Sequence, residues 1–258
     1  MGFRSINFDH LAKFNSAVSS ELIDKYEAEI KRSISERSLR PRAKTFAPSG
    51  FRCSRMMWFR LRGSPPDENQ PIDISLDFIA KLGTACHEMI QSTLMNSLGD
   101  DWIDVRYYIE NHLHPNYTYH LHQSGLETQI QVVDPPIQFA CDGIIRLHDK
   151  FYLLEIKTAE FSSFNELTDP KSQHIDQIKC YATLLNLHDV LVLYQDRQYG
   201  SLKCYEMHVS DEDMNSVNDK FRYIQDIVSA NIAPEGLPKG DIGCQRCIYF
   251  KRCKEWGR

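Results

Sequence analysis

The sequence has no long apolar segment, no internal repeat and no low-complexity tract. The longest apolar runs fall short of the roughly 18 residues that a transmembrane helix needs. The first residues also lack the charged and apolar regions of a secretory signal peptide. We therefore expect a soluble protein that stays in the cytoplasm, which would be the host cytoplasm if a phage encodes the chain.

Length and composition set the scale of the fold. The chain has 258 residues, of which 42% are hydrophobic and 25% are charged, so it can bury one large core or two modest ones. We expect one main domain over residues 45–258. Residues 1–44 are predicted to form a helical extension in front of it.

The cysteines follow a pattern typical of metal ligation. Without a secretion signal, eight cysteines favour reduced thiols over a disulfide framework. Cys53 stands alone, whereas Cys244, Cys247 and Cys253 close the chain as CxxC followed by CxxxxxC. Four thiolates could hold a structural zinc ion or an iron-sulfur cluster. One remote cysteine with a triplet in the tail favours the cluster.

Charge is unevenly distributed along the chain. The net charge of −5 argues against a nucleic-acid partner. Yet the segment from Arg37 to Arg62 carries about +8 without any acid, which leaves about −13 for the rest. Interleaved aromatic side chains suit a surface that binds phosphates and stacks on unpaired bases. They are Phe46, Phe51, Trp58 and Phe59, and the DNA contacts expected from this segment are Arg52, Arg55 and Arg60. A basic linker with a few core aromatics is the alternative.

Periodicity and breaker residues predict a mixed α/β fold, with a central sheet flanked by helices. One or two helices are predicted over residues 8–37. The other predicted helices cover residues 50–61 with Ser49 as the cap, 76–97, 175–187, and 211–230 with Asp211 as the cap. The predicted strands cover residues 127–133, 137–147, 151–157, 190–194 and 202–209.

Two carboxylates and a lysine fall on adjacent predicted strands. Asp142 lies on the strand before a short loop, and Glu155 lies on the strand after it. Glu155 and Lys157 are two residues apart, so their side chains share one face of the strand. A hard divalent cation prefers oxygen ligands, and the lysine could orient a water molecule that attacks a phosphate. The alternative is an ordinary exposed Glu-x-Lys pair.

Helical residues complete this candidate site. His87 lies on a predicted helix upstream and could act as a metal ligand, which would widen the choice toward Mn²⁺. Gln177 and Tyr181 are one helical turn apart, so they could reach both the lysine and the DNA backbone. Glu127 is either a further acidic ligand acting through water or a plain exposed glutamate.

The ordered set of His87, Asp142, Glu155-Ile-Lys157 and Gln177-xxx-Tyr181 resembles the RecB-like branch of the PD-(D/E)XK nuclease superfamily over about residues 45–258. With the four cysteines it looks like the iron-sulfur members: the nuclease of CRISPR adaptation modules, its phage-encoded relatives and AddB. The chain departs from the superfamily name in lacking the literal Pro-Asp, and Gly143 follows the acid.

The resemblance implies a restriction-endonuclease-like core. It also implies a [4Fe-4S] cluster, held by the four cysteines, that joins the helix of Cys53 to the C-terminal tail. Mg²⁺ or Mn²⁺ would be bound by His87, Asp142, Glu155 and the backbone carbonyl of Ile156. Asp142, Glu155 and Lys157 would be the catalytic residues.

The function implied is metal-dependent hydrolysis of DNA by an exonuclease acting on single-stranded ends, in phage or recombination DNA processing. A recombination or replication protein is an expected partner. The alternative is a DNA-end-binding adaptor of a recombination or spacer-capture complex that cleaves little by itself.

Overall fold

The computed structural model describes residues 17–38, 43–67, 73–113, 118–124, 126–244 and 247–255. These residues divide into two compact units. The first contains residues 17–38 and 73–81, and the second contains the other described residues. The sequence-based division placed residues 73–81 in the main domain.

The first unit is helical and has a polar surface. Helix α1 (Ala17–Ser38) carries ion pairs one turn apart, such as Lys31 with Glu27. Near its end, Arg37 forms an ion pair with Asp77 in the first turn of α3 (Ile74–Leu98). The predicted helix over residues 8–37 is therefore seen from residue 17, and its earlier part lies outside the described residues.

A five-stranded mixed sheet forms the centre of the second unit. The strand order is β1 (Trp102–Ile103), β5 (Gly143–Leu147), β6 (Lys150–Ala159), β7 (Asp189–Asp196) and β8 (Leu202–His208). Only β6 and β7 run parallel, and the other neighbours are antiparallel. This mixed and mostly antiparallel sheet agrees with the predicted fold class.

A second sheet of three strands lies in the same unit. Its antiparallel strands are β2 (Tyr119–Ser124), β3 (Glu127–Val132) and β4 (Ile137–Ala140). The single strand predicted over residues 137–147 is therefore wrong. It is two strands in two sheets, β4 and β5, because the chain leaves strand geometry at Cys141 and Asp142.

The remaining helices are α2 (Ser54–Leu61), α4 (Val105–His112), α5 (Phe161–Asn165), α6 (Ser172–Leu185), α7 (Asp211–Ser229) and α8 (Phe250–Glu255). Two predicted caps are corrected. Cys53, whose sulfur accepts the Met56 N–H at 3.4 Å, caps α2 in place of Ser49. Ser210 caps α7 in place of Asp211 and forms a capping box with Asp213.

The core takes up the aromatic side chains of the basic segment. Phe46, Phe51, Trp58 and Phe59 are all buried. The rings of Phe46 and Phe51 lie 5.3 and 5.2 Å from that of Phe221 on α7. The expectation that these four rings stack on bases is therefore wrong, because they are packed inside the protein.

None of the helices in the described part of the chain is long and apolar enough to cross a membrane.

Candidate active site

Asp142 lies where β5 separates from β6. The two strands pair as far as Gly143 with Leu154, and one further step in the same register places Asp142 opposite Glu155. Because β5 begins at Gly143, the Ile156 N–H has no carbonyl of β5 to bind. The Asp142 Oδ2 accepts this N–H instead, at 2.5 Å. The break between β4 and β5 thus fixes one carboxylate against the next strand.

Gly143 allows a close approach beside this carboxylate. A Cβ atom at position 143 would lie 2.7 Å from Cη2 of Trp102 on β1, well inside van der Waals contact. The indole therefore lies directly over the backbone of residue 143. This packing gives a physical reason for the glycine that follows the acid.

Strand β6 supplies the second carboxylate and the lysine. Glu155 is 2% exposed, and its Oε1 accepts a hydrogen bond from Lys157 Nζ at 2.5 Å. The ammonium also donates to Gln177 Oε1 at 3.1 Å, and Gln177 Nε2 donates to the Tyr181 hydroxyl at 3.0 Å. Gln177 therefore contacts the lysine directly, and Tyr181 contacts Gln177.

Helix α3 reaches the same carboxylate from another direction. His87 Nδ1 lies 3.1 Å from Asp142 Oδ1, and Gln91 Nε2 donates to the Asp142 backbone carbonyl at 2.7 Å. Between them, Ile90 is buried in a cluster with Leu154 and Ile156 of β6. Apolar packing of α3 on the sheet thus places His87 at the site. Gln91 was missed, because a buried glutamine on a helix has no sequence signal.

Glu127 joins these residues from the second sheet. A ring nitrogen of His87 and one carboxylate oxygen each of Glu127 and Asp142 lie within 4.8 Å of one another. Glu127 begins β3, close to the hairpin that joins β2 and β3. This group could bind a divalent metal ion. Of the two roles left open for Glu127, its position favours the ligand.

Two acidic groups of the site have raised pKa values, because they are buried and close to the charge of Asp142. Burial, together with the nearby charge of Asp142, raises the pKa of Glu155 to about 7, although Lys157 opposes this rise. Burial and the Asp142 charge also raise the pKa of Glu127. Burial opposes protonation of His87, but the hydrogen bond to Asp142 and its charge bring the net pKa above the usual value. A divalent cation would favour the ionised acids.

The backbone carbonyl of Ile156 points to the edge of β6 that faces Asp142. The N–H and C=O of a strand residue point to the same edge of the strand, and the Ile156 N–H points to Asp142. The Ile156 side chain is fully buried with Ile90 and Leu154. The carbonyl is thus directed to the edge where β5 has ended.

The four expected cluster cysteines share one cavity. Cys53, Cys244, Cys247 and Cys253 all line it, together with Arg55 and Phe59. No three of these four sulfurs lie within 4.8 Å of one another, so they do not converge on one point. Burial raises the pKa of Cys247, and the other three thiols raise it further, although a backbone hydrogen bond opposes this. The cavity brings together residues that are far apart in sequence.

The three arginines expected to contact DNA lie in different surroundings. Arg52 forms an ion pair with Asp241 at 2.7 Å, and Arg60 is half-buried on α2. Arg55 is buried, and its Nε donates to the Pro234 carbonyl at 2.7 Å. A DNA contact by Arg55 therefore does not fit its position, because the guanidinium faces the protein interior.

Comparisons with known proteins give no family. No family model and no curated protein matches the chain. Among solved structures, the chain is similar to the crystal structure of SSO0001, with a TM-score of 0.48 and 15% identity over 88% of this chain and 95% of that chain. It is also similar to an alkaline exonuclease (LHK-Exo) from Laribacter hongkongensis, with a TM-score of 0.44 and 14% identity over 76% and 93% of the two chains. Both TM-scores lie below 0.5, and the functional assignment therefore depends on the geometry of the site.

Proposed function

We propose that this chain is a divalent-metal-dependent nuclease that hydrolyses DNA from single-stranded ends, in phage or recombination DNA processing. The proposal depends on one observation above all. Asp142 is anchored on the Ile156 N–H, Glu155 follows opposite it in register, and Lys157 Nζ lies 2.5 Å from Glu155. Two carboxylates and an ammonium at one strand end suit metal-assisted phosphodiester hydrolysis.

The side chains fit a hard divalent cation. His87, Glu127 and Asp142 offer a nitrogen and two carboxylate oxygens within 4.8 Å. We assign Glu155 and the Ile156 carbonyl as further ligands from β6. An oxygen-rich set with one imidazole suits Mg²⁺ or Mn²⁺. When bound, such an ion lowers the pKa of a coordinated water and stabilises negative charge on the leaving oxygen.

The protein residues position the other reacting groups. Lys157 donates hydrogen bonds to Glu155 and Gln177, so its ammonium is already positioned beside the carboxylates before substrate binds. We assign it to orient the attacking water and to donate to a phosphate oxygen. Tyr181 is buried, and we assign it to support Gln177, while Gln177, Arg52 and Arg60 are the proposed DNA contacts.

The test is cleavage of end-labelled single-stranded DNA with Mg²⁺ or Mn²⁺. Glu155→Gln and Lys157→Ala should each lower the rate by about 10² or more, since each removes a group at the reacting centre. Two matched controls change the same residue types at exposed positions, Glu160→Gln just after β6 and Lys150→Ala at its start. Both controls should cleave like wild type.

Two outcomes would contradict the proposal. Undetectable cleavage by wild type and all variants alike, with retained DNA binding, would support the adaptor function. Cleavage of closed single-stranded circles at the rate of linear strands would exclude the requirement for ends.

We also propose that the cysteine cavity binds a [4Fe-4S] cluster. Four cysteines that line one cavity support a cluster, in which each cysteine would bind its own iron. The cluster would join α2 to the C-terminal tail.

Metal analysis tests the cluster separately from cleavage. Protein purified without oxygen should be brown and contain iron and sulfide. Cys247→Ala should lose the colour and melt at a lower temperature, because a long loop would no longer be closed. The control is Cys204→Ala, an exposed cysteine on β8 outside the cavity. Full iron content and an unchanged melting temperature in Cys247→Ala would contradict the proposal.

A further inference from the structure

Arg55 lies in the wall of the cysteine cavity, two residues after Cys53. It is 7% exposed, although arginine is among the residue types least often buried. Its Nε donates to the Pro234 carbonyl at 2.7 Å. Its Nη1 lies 3.4 Å from the Cys253 carbonyl and 3.7 Å from the Cys253 sulfur. The guanidinium therefore directly faces Cys253, one of the proposed cluster ligands.

The charge of Arg55 has no carboxylate to balance it. Across the part of the chain that the structure describes, no aspartate or glutamate forms an ion pair with Arg55. Burying the charge of a guanidinium without a counter-ion is costly. Carbonyl dipoles solvate the group but carry no net charge. The remaining acidic group in contact with it is the Cys253 thiol, which would be an anion when it binds metal.

Lys220 of α7 lies within electrostatic range of Cys53, one of the residues that line the cavity. Its Nζ lies 4.3 Å from the Phe51 ring centroid and 3.5 Å from the Arg52 carbonyl. The ammonium is within electrostatic range of Asp176 and, more weakly, of Cys53. The described residues include no carboxylate in an ion pair with Lys220. Arg55 thus faces the four cysteines without a carboxylate in an ion pair, and Lys220 is a second cation nearby whose charge Asp176 partly balances. This arrangement fits a cavity that carries negative charge.

We infer that Arg55, supported by Lys220, is the cationic counterpart of the thiolate-bound cluster and tunes its reduction potential and retention. This inference rests on the proposed cluster. In a redox titration one electron passes from dithionite to the cluster, which becomes more negative by one charge. A nearby cation and an N–H···S contact stabilise the reduced form more than the oxidised form. Removing the charge should therefore lower the potential.

The experiment is anaerobic redox titration of the whole protein, followed by visible absorbance, with iron and sulfide content measured on the same samples. Arg55→Met removes the charge and keeps much of the length, and Arg55→Lys keeps the charge. Lys220→Met removes the second cation. The matched control is Arg62→Gln, at the end of α2, where the guanidinium lies 4.5 Å over the Trp58 ring and outside the cavity.

Arg55→Met should lower the reduction potential by about 59 mV, which corresponds to a tenfold change in the one-electron equilibrium. Lys220→Met should lower the potential by a smaller amount. The potential of Arg55→Lys should stay near that of wild type, and that of Arg62→Gln should be unchanged. Loss of iron from Arg55→Met with retention in Arg55→Lys would support the same conclusion.

Equal potentials in wild type and Arg55→Met would overturn the inference, and so would equal loss of iron from Arg55→Met and Arg55→Lys. A wild-type protein without thiolate-bound iron would instead overturn the cluster itself. Because cleavage is not the readout, neither result depends on the proposed nuclease activity.

Discussion

Replacing Gly143 by alanine should destabilise the protein through one contact. The added Cβ would lie 2.7 Å from Cη2 of Trp102, whereas carbon atoms at optimal contact are about 3.5–4.0 Å apart. About 1 Å of relief must come from the indole or from β5 itself. Overpacking of this kind costs about 1–3 kcal/mol. We expect Gly143→Ala to lower the free energy of unfolding by that amount.

A double-mutant cycle isolates this contact. Trp102→Leu removes the far end of the ring, so Gly143→Ala should cost about 0.5 kcal/mol or less in that background. The coupling energy between the two positions should then be about 1–2 kcal/mol. Urea unfolding followed by circular dichroism measures all four proteins. An equal cost of Gly143→Ala in both backgrounds would refute the reasoning.

A second glycine provides the control. A Cβ at Gly83 in α3 would meet only the Thr158 hydroxyl at 3.7 Å, which is ordinary contact. Alanine also favours a helix interior over glycine by about 1 kcal/mol. Gly83→Ala should therefore leave stability unchanged or raise it. Gly143→Ala should also slow cleavage, because a shift of β5 moves the adjacent Asp142, and a displacement of about 1 Å can cost about 10²-fold.

Two further predictions concern elements that support the sites. Asp67 accepts the backbone N–H groups of Lys251 and Arg252 at the start of α8, at 2.5 and 3.0 Å, so Asp67→Ala should cost about 1–2 kcal/mol and lower iron content, measured by urea unfolding and metal analysis. Burial, with nearby lysine charges, lowers the pKa of His174 from 6.5 to about 4, while its ring contacts the Tyr194 hydroxyl at 2.7 Å. Between these pKa values the unfolded chain binds more protons, so stability should fall as pH falls, and His174→Gln should flatten that dependence in melts at pH 7.5 and 5. A pH dependence identical to wild type in His174→Gln, or full stability of Asp67→Ala, would contradict these assignments.

The local parts of the site could be predicted from the sequence. Glu155 and Lys157 share a strand face because side chains alternate along a strand, and Gln177 and Tyr181 share a helix face because they are one turn apart. These relations depend only on the geometry of one element. The structure has the lysine bonded to Glu155 and Gln177.

The parts that depend on two elements were harder to predict. Residues 137–147 are mostly apolar, and their pattern gave no sign that β4 and β5 belong to different sheets. The basic segment looked like a stacking surface, yet burial of Phe46 and Trp58 depends on partners from elsewhere in the chain. In the sequence, Arg55 is one more positive charge of the basic segment. Its contact with Cys253, almost two hundred residues later, follows only from the fold.

The break between the two sheets accounts for the chemistry proposed at the site. If β4 and β5 were one strand, the Ile156 N–H would pair with backbone, and the Asp142 carboxylate would not be needed there. Because the chain turns at residue 142, that carboxylate takes the ladder position, and the same turn leads β4 to its pairing with β3, which begins with Glu127. One irregular residue thus gathers acids from two sheets and the imidazole of His87 from α3. Burial, and after it repulsion from the Asp142 charge, raises the pKa values of Glu127 and Glu155, and a divalent cation would favour the ionised form of both acids.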